Sequence, residues 1–161
     1  MEHANGKQED WDLPSPHVVT VGVCEADIDA YEHVNNAVYV TWCDRAAWDH
    51  SAHLGLPLER CLDLDRGMAV LRSVVVYLRP ALRDDFIQVA TWLLPSESKL
   101  RIGRRFQMRR VADGATLLRA EIEYACIELS SGRATRWPAE FRDRYVVNAG
   151  VQSASSSLAP L

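Results

Sequence analysis

The sequence lacks the features that identify several large classes of protein. Only two of its 161 residues are lysine and the formal net charge is -4, so no overall positive charge would attract nucleic acid. No apolar run approaches the roughly 20 residues that a helix needs to cross a bilayer. Residues 1–16 lack the basic start and apolar middle of a signal peptide, so we expect a cytoplasmic protein.

Cysteine is scarce and is not spaced for metal binding. No two of the four cysteines form a C-x-x-C pair, the spacing typical of zinc sites and thioredoxin-like motifs. They are Cys24, Cys43, Cys61 and Cys126. His50 and His53 lie three residues apart, but no third ligand is evident in the sequence. We therefore expect reduced, mostly buried thiols and no metal site.

What is present is the composition of a globular protein, with 48% hydrophobic and 25% charged residues. The length suits one domain with a substantial core and is too short for two ordinary domains. We predict a flexible N-terminal lead-in at residues 1–16, a single folded domain at residues 17–145, and a disordered, serine-rich tail at residues 146–161.

Hydrophobic periodicity predicts one long helix at residues 37–54, apolar over most of its circumference and therefore buried. Asn35 or Asn36 can cap its start, and Gly55 followed by Pro57 ends it. Stretches rich in apolar and β-branched residues predict five strands and a short closing helix. The strands cover residues 17–24, 68–78, 86–94, 99–111 and 116–129, and the short helix covers residues 138–145.

This order of elements predicts an α+β fold in which a five-stranded antiparallel sheet packs on one long helix. Such a sheet leaves its other face and its edge strands uncovered, and an edge strand readily pairs with another chain. Because self-association would cover these surfaces, we expect a homo-oligomer, either a dimer or a tetramer.

The chemistry-bearing segment lies at the start of the predicted helix. It reads E-A-D-I-D-A-Y-E-H-V-N-N-A-V-Y over residues 25–39. A helix start presents free backbone N–H groups and the positive end of the helix dipole, which can stabilise an oxyanion. A nearby carboxylate can attack an acyl carbon or activate water, and a nearby histidine can polarise or orient the substrate. These groups suffice to hydrolyse an activated acyl group without a metal.

Two motifs resemble those of a known family. The pattern D-x-D-x-x-x-H-V-N-N-x-x-Y, from Asp27 to Tyr39, resembles hotdog-fold thioesterases of the 4-hydroxybenzoyl-CoA thioesterase type. It is also similar to bacterial long-chain acyl-CoA thioesterases and plant acyl-ACP thioesterases. The segment V-V-Y-L-R-P-A-L-R-D-D, from Val75 to Asp85, resembles the second signature of the family. The resemblance covers about residues 18–140.

The resemblance implies a hotdog fold with a long central helix, two subunits paired into a continuous sheet, and active sites between them. It implies hydrolysis of an acyl-CoA or acyl-carrier-protein thioester, with no cofactor beyond the coenzyme A of the substrate. Asp29 matches the family's catalytic acid, as nucleophile or general base, and His33 matches the histidine of the acyl-ACP branch. We expect Asn36 to help position the thioester, and the backbone N–H of Asn36 or Ala37 to hold the oxyanion.

The substrate-binding candidates are Tyr31, Asn35, Tyr39, Arg101 and Arg105. Asn35 can equally be a helix cap, and Tyr39 can equally be a core residue. The basic residues of the fourth strand can form a solvated outer face, or can meet the phosphates of coenzyme A or an acidic carrier protein. The chain also departs from the family: Tyr31 stands where acyl-ACP thioesterases carry asparagine, and the arginine common near the end of the first strand is missing.

Two other functions stay open at this point. A hotdog dehydratase or hydratase acting on β-hydroxyacyl thioesters would use a similar pocket. A non-catalytic protein that binds acyl thioesters would need the pocket without the reaction. The presence of both Asp29 and His33 in the motif favours hydrolysis.

Overall fold

A computed structural model describes residues 11–158 and residue 161. Most of the predicted lead-in, residues 1–10, lies outside the described residues. The extent of the domain as predicted, residues 17–145, stays a prediction. Among the described residues, no helix is both long enough and apolar enough to span a bilayer.

The described chain forms one five-stranded antiparallel sheet with helices, as predicted. Its strands are β1 (His17–Gly22), β2 (Arg66–Tyr77), β3 (Phe86–Leu94), β4 (Arg101–Arg110) and β5 (Thr116–Glu128). The order across the sheet is β1-β3-β4-β5-β2, so β1 and β2 are its two edges. A register shift between Val70 and Arg72 interrupts the pairing of β2 with β5. Short connections join β3, β4 and β5, so these three neighbouring strands form an antiparallel meander.

Helix α1 spans Asn36–His53, 18 residues, and lies one residue earlier at each end than predicted. The Asn35 side chain accepts a hydrogen bond from the Ala37 N–H at 2.9 Å, which fixes the start of the helix. Its buried residues lie at helical spacing and pack into the main core with the inner face of the sheet. They are Tyr39, Trp42, Cys43, Ala46, Ala47 and Ser51. A central position of this helix and the pairing of two subunits stay predictions.

Three shorter helices complete the described chain: α2 (Leu58–Asp63), α3 (Ala139–Arg144) and α4 (Ala149–Ala154). The sequence analysis missed α2, which begins directly after Pro57 and has only six residues. Helix α3 lies where the short closing helix is predicted, and its Phe141 is fully buried in the main core.

The outer face of the sheet differs from the prediction of a loose lead-in and a disordered tail. Leu13 and Val151 of α4 are buried against Ala90 and Trp92, forming a second, smaller core. The Trp92 indole N–H also donates to the Pro14 carbonyl at 2.9 Å. Segments near both ends of the described chain therefore pack on the outer surface of β3. Their apolar residues are too few and too widely spaced in the sequence to show periodicity.

Candidate active site

Asp29 lies in a tight turn between Ile28 and Val34, which form an isolated β-bridge. Its N–H donates to the His33 carbonyl at 2.8 Å, and its carbonyl accepts the Glu32 N–H at 3.0 Å. Glu32 has a φ of 64°, the left-handed conformation that closes such a turn. The turn holds Asp29 in place through backbone hydrogen bonds that depend little on side-chain identity.

The Asp29 carboxylate is half-buried, and the turn engages one of its oxygens. Oδ1 accepts the Tyr31 N–H at 2.8 Å. Among the described residues, Oδ2 has no hydrogen-bond partner. One oxygen is thus oriented by the backbone while the other is free to act on a substrate or a water molecule.

Asp27 serves a different purpose from Asp29. Its carboxylate accepts the Cys24 N–H at 2.9 Å, and its carbonyl accepts the Asn35 N–H at 2.8 Å. These contacts tie the end of β1 to the start of α1. They indicate a structural role for Asp27.

The start of α1 retains one donor that can face a ligand. Asn35 uses its side chain as the helix cap for Ala37, so the structure favours the capping alternative for Asn35 and removes Ala37 as an oxyanion donor. The Asn36 N–H has no hydrogen-bond partner among residues 11–158. The free amide at the positive end of an 18-residue helix is that of Asn36.

Tyr31 and His33 are exposed on the same loop as Asp29. The Tyr31 ring is 83% exposed, the largest exposed fraction among the large hydrophobic side chains described. The structure therefore brings half-buried Asp29 together with exposed Tyr31 and His33 in one loop, which leads into Asn36, the first residue of α1. Their side chains lie at the surface of the single chain, where a ligand or a second subunit can contact them.

The two sequence motifs meet in space at Ala81. The Val34 N–H donates to the Ala81 carbonyl at 3.0 Å, and the Ala81 N–H donates to the Tyr39 hydroxyl at 2.8 Å. Tyr39 is 2% exposed, and burial raises the pKa of its hydroxyl, so it remains a neutral phenol. The structure favours the core alternative for Tyr39, which positions the loop rather than contacting a ligand from solvent.

Further contacts brace this junction. The Arg110 guanidinium donates to the Asp85 carboxylate at 2.9 Å and to the Pro80 carbonyl at 2.8 Å. The Tyr77 hydroxyl, on edge strand β2, donates to the Asn36 carbonyl at 3.0 Å. The second motif therefore supports the loop of the first motif, and β2 reaches the start of α1.

The basic residues of β4 do not form one solvated face. Arg105 is 4% exposed and donates to the Glu121 carboxylate at 2.5 Å, with Asp12 at 3.7 Å. The expectation of a solvated face is wrong at this position, because residues 11–14 cover the sheet there. These contacts favour a structural role for Arg105 over phosphate binding. Arg101 is exposed and donates to Glu123 at 2.8 Å, so of the two it is the one that stays accessible to a ligand.

Arg104 is a prominent buried residue of the structure that was not among the candidates predicted from the sequence. Arg104 points to the inner face of the sheet, in the same register as Ile102 and Phe106, and is 4% exposed. Its guanidinium contacts His50 Nδ1 at 2.9 Å and donates to Ser51 Oγ at 3.0 Å. The signal was readable: alternation with period two puts residue 104 on the apolar side of β4.

A cavity of about 60 Å³ adjoins this buried arginine. It lies between α1, α3 and the inner face of the sheet near β2. Its walls are largely apolar, with Arg104 and Ser51 as buried polar groups. The lining also includes Ala47, Trp48, Met68, Val70, Ile102 and Phe141.

Comparison with known proteins identifies relatives of the chain. The model of the thioesterase-like superfamily matches residues 23–145. The long-chain acyl-CoA thioesterase FadM of Escherichia coli is 25% identical over 117 residues, covering 73% of this chain and 87% of FadM.

Two solved structures share the fold over most of their length. A 1,4-dihydroxy-2-naphthoyl-CoA thioesterase from Synechocystis has a TM-score of 0.73 at 17% identity, covering 81% of this chain and 96% of its own. A Staphylococcus aureus protein solved in complex with CoA has a TM-score of 0.75 at 18% identity, covering 82% of each chain. These likenesses confirm the hotdog fold that the resemblance implies.

Proposed function

This chain belongs to the thioesterase-like superfamily, and we propose that it hydrolyses the thioester bond of an acyl-CoA to a free acid and a thiol. The observation that carries the proposal is the Asp29 carboxylate, held by its turn with one oxygen free beside the start of α1. The name of the relative FadM supports an acyl-CoA substrate. An acyl-carrier-protein thioester is the alternative, since it presents the same bond.

Asp29 acts on the thioester carbonyl. Its free oxygen either attacks the acyl carbon or removes a proton from the water that does so. The hydrogen bond from the Tyr31 N–H keeps the carboxylate oriented in both cases. In the first case the thiolate leaves and water then hydrolyses the mixed anhydride, whereas in the second case the water adds directly to the carbonyl before the thiolate leaves.

The negative charge that develops on the carbonyl oxygen needs a donor. The Asn36 N–H meets this need, since it is unpaired and lies at the positive end of the α1 dipole. His33 is exposed on the same loop and orients or protonates the departing thiolate. The exposed Tyr31 ring supplies a contact for the larger part of the substrate.

The active unit is a homodimer formed through edge strand β2. Val70 and Leu71 on this edge are 54% and 51% exposed in the single chain. A long edge strand rarely leaves large apolar side chains exposed unless another chain covers them. Trp48 and Val40 of α1 are exposed beside them. A second copy would pair with β2 and bury these side chains. We expect Leu71→Lys to shift the protein from dimer to monomer in sedimentation, whereas a wild-type monomer would contradict this arrangement.

The direct test is thiol release from a panel of acyl-CoAs, from acetyl to palmitoyl with benzoyl and phenylacetyl included. Wild-type protein should hydrolyse at least one of them, and Asp29→Asn should not. Glu32→Gln is the matched control, because it removes a charge from the same turn without touching the free oxygen. Turnover that survives in Asp29→Asn would contradict the assignment. Hydration of crotonyl-CoA instead of hydrolysis would support the hydratase alternative.

A further inference from the structure

We propose that the acyl pocket of this enzyme ends at Arg104, and that its preferred substrates carry a carboxylate at the far end of the acyl chain. The inference rests on the proposed function and names the substrate class of that same site. The observations that carry it are a buried guanidinium without an acidic partner, a cavity beside it, and the distance of that cavity from the helix start.

Arg104 is the strongest of these observations. Its two hydrogen-bond partners are uncharged: the Ser51 hydroxyl and the Nδ1 atom of His50, which must be unprotonated to accept from a guanidinium. Among the described residues, no carboxylate lies within 4.0 Å of it. A buried cation without a counter-ion is costly, and an anionic ligand would remove that cost.

The acidic groups nearest to this region do not neutralise Arg104. Asp49 pairs with His17 at 2.7 Å, on the outside of α1. Asp44 lines the cavity but is itself exposed, and partial burial raises the pKa of its carboxyl. Tyr145 donates its hydroxyl to Ser51 and places its ring 5.8 Å from the Arg104 guanidinium carbon. These contacts hold Arg104 in place without balancing its charge.

The cavity suits the end of an acyl chain. Its volume of about 60 Å³ exceeds the roughly 10–15 Å³ that one water needs, so a carboxylate with a methylene or two fits. Trp48 and Val70, which are exposed in the single chain, line it together with buried Ser51 and Arg104, so it faces the edge of β2 where the second copy would pair. A phosphate-bearing headgroup would not fit so small an apolar space.

The cavity and the proposed reaction centre lie at two points along α1. Tyr77 of β2 contacts Asn36 at the helix start, and Val70 of β2 shares the cavity with Ala47 further along the helix. Asn36 and Ala47 are eleven residues apart, which is about 16 Å along a helix. An acyl chain of medium length spans this distance, so a thioester at Asn36 brings a terminal carboxylate to Arg104.

The first experiment compares two thioesters of equal length. The probes are dodecanoyl-CoA and the mono-CoA thioester of dodecanedioic acid, tested with wild type, Arg104→Met, Arg104→Lys and the surface control Arg133→Met. A charge-assisted hydrogen bond should favour the acid-ended substrate by roughly tenfold to a hundredfold in kcat/KM. Arg104→Met should abolish that preference, whereas Arg104→Lys should retain part of it and Arg133→Met should keep it. Equal turnover of both substrates by wild type would overturn the proposal.

A second measurement separates this inference from the proposed function. Calorimetric titration with dodecanoate and with dodecanol measures whether the cavity binds a carboxylate, independently of hydrolysis. Binding of dodecanoate alone, lost in Arg104→Met and partly retained in Arg104→Lys, would support the site even if every thioester resists hydrolysis. Equal binding of both probes, or binding unaffected by Arg104→Met, would overturn the site even if dodecanoyl-CoA is hydrolysed.

Discussion

The two ends of helix α1 present polar groups in opposite settings. At its start, His33 and Asn36 are exposed and Asp29 is half-buried, and backbone hydrogen bonds within a short loop position Asp29. In its last turns, Ser51 and the facing Arg104 are buried and held by side-chain hydrogen bonds from distant strands and helices.

The groups at the helix start can act on a substrate, whereas the buried groups are positioned only when distant strands and helices pack together. The contacts of Asp29 itself lie within the loop, between residues 29 and 33, so a change at its side chain alters chemistry more than stability. The buried cluster joins α1 to β4 and to the segment after α3, so a change there alters stability together with any ligand binding. Each prediction below sharpens or breaks that contrast.

The largest effect is expected at Asp29. Asp29→Asn keeps the size of the side chain but removes the charge needed for attack or proton removal, so kcat should fall by about a hundredfold or more. The Tyr31 N–H can still donate to the amide oxygen, so the thermal midpoint should change little. A loss of kcat on an acyl-CoA with an unchanged melting curve would support the contrast between the two ends of α1. A large drop in the melting temperature would break it.

Ser51→Ala should give the largest effect on stability. The Ser51 hydroxyl accepts from both Arg104 and Tyr145, so its removal leaves two buried donors without a partner. We expect a loss of about 3 kcal/mol in the free energy of unfolding. Urea denaturation measures this loss, with the exposed Ser153→Ala as control. A change below that of the control would show that the cluster contributes little to the fold.

His50 should make stability depend on pH. Burial, followed by the charge of Arg104, lowers the pKa of His50 to about 3. The unfolded chain binds a proton near pH 6.5 that the folded chain refuses until about pH 3, so stability present above pH 6.5 is lost as the pH falls.

The size of this effect is testable by urea denaturation at pH 7 and pH 5. The loss attributable to His50 should be at most about 2 kcal/mol over that interval. His50→Asn, which keeps an acceptor for Arg104, should reduce the loss. His33→Asn, at the exposed end of the helix, should leave it unchanged. An identical loss in all three proteins would exclude His50 as its source.

The smallest effect is expected at the helix cap. Asn35→Ala removes the acceptor for the Ala37 N–H, and we expect a loss of about 1 kcal/mol. Asn148→Ala is the matched control, because Asn148 caps the six-residue helix α4 in the same way. The Asn148 variant should lose less, since fewer core contacts depend on that helix. A larger loss at Asn148 than at Asn35 would contradict this ranking.

The sequence predicted the elements whose signals are local. The β-branched and apolar runs predicted five strands, and the cap at Asn35 with Gly55 and Pro57 bounded the long helix. Every predicted end of these elements lies within two residues of the observed end. The loop with Asp29 and His33 could be proposed as a site for the same reason. The turn that holds Asp29 forms within residues 28–34, so local sequence nearly suffices to place Asp29, although Ala81 and Tyr77 brace the loop from a distance.

The sequence by itself therefore determined the α+β class, the helix and the exposed loop at its start, because each depends on neighbours along the chain. Only the tertiary structure decided what covers each face of the sheet. Leu13 and Val151 pack on Trp92 from segments far apart in the chain, Asp12 lies 3.7 Å from buried Arg105, and α1 packs on Arg104 beside an apolar cavity. The burial of an arginine depends on partners dozens of residues away, and the periodicity of one strand does not indicate where those partners pack.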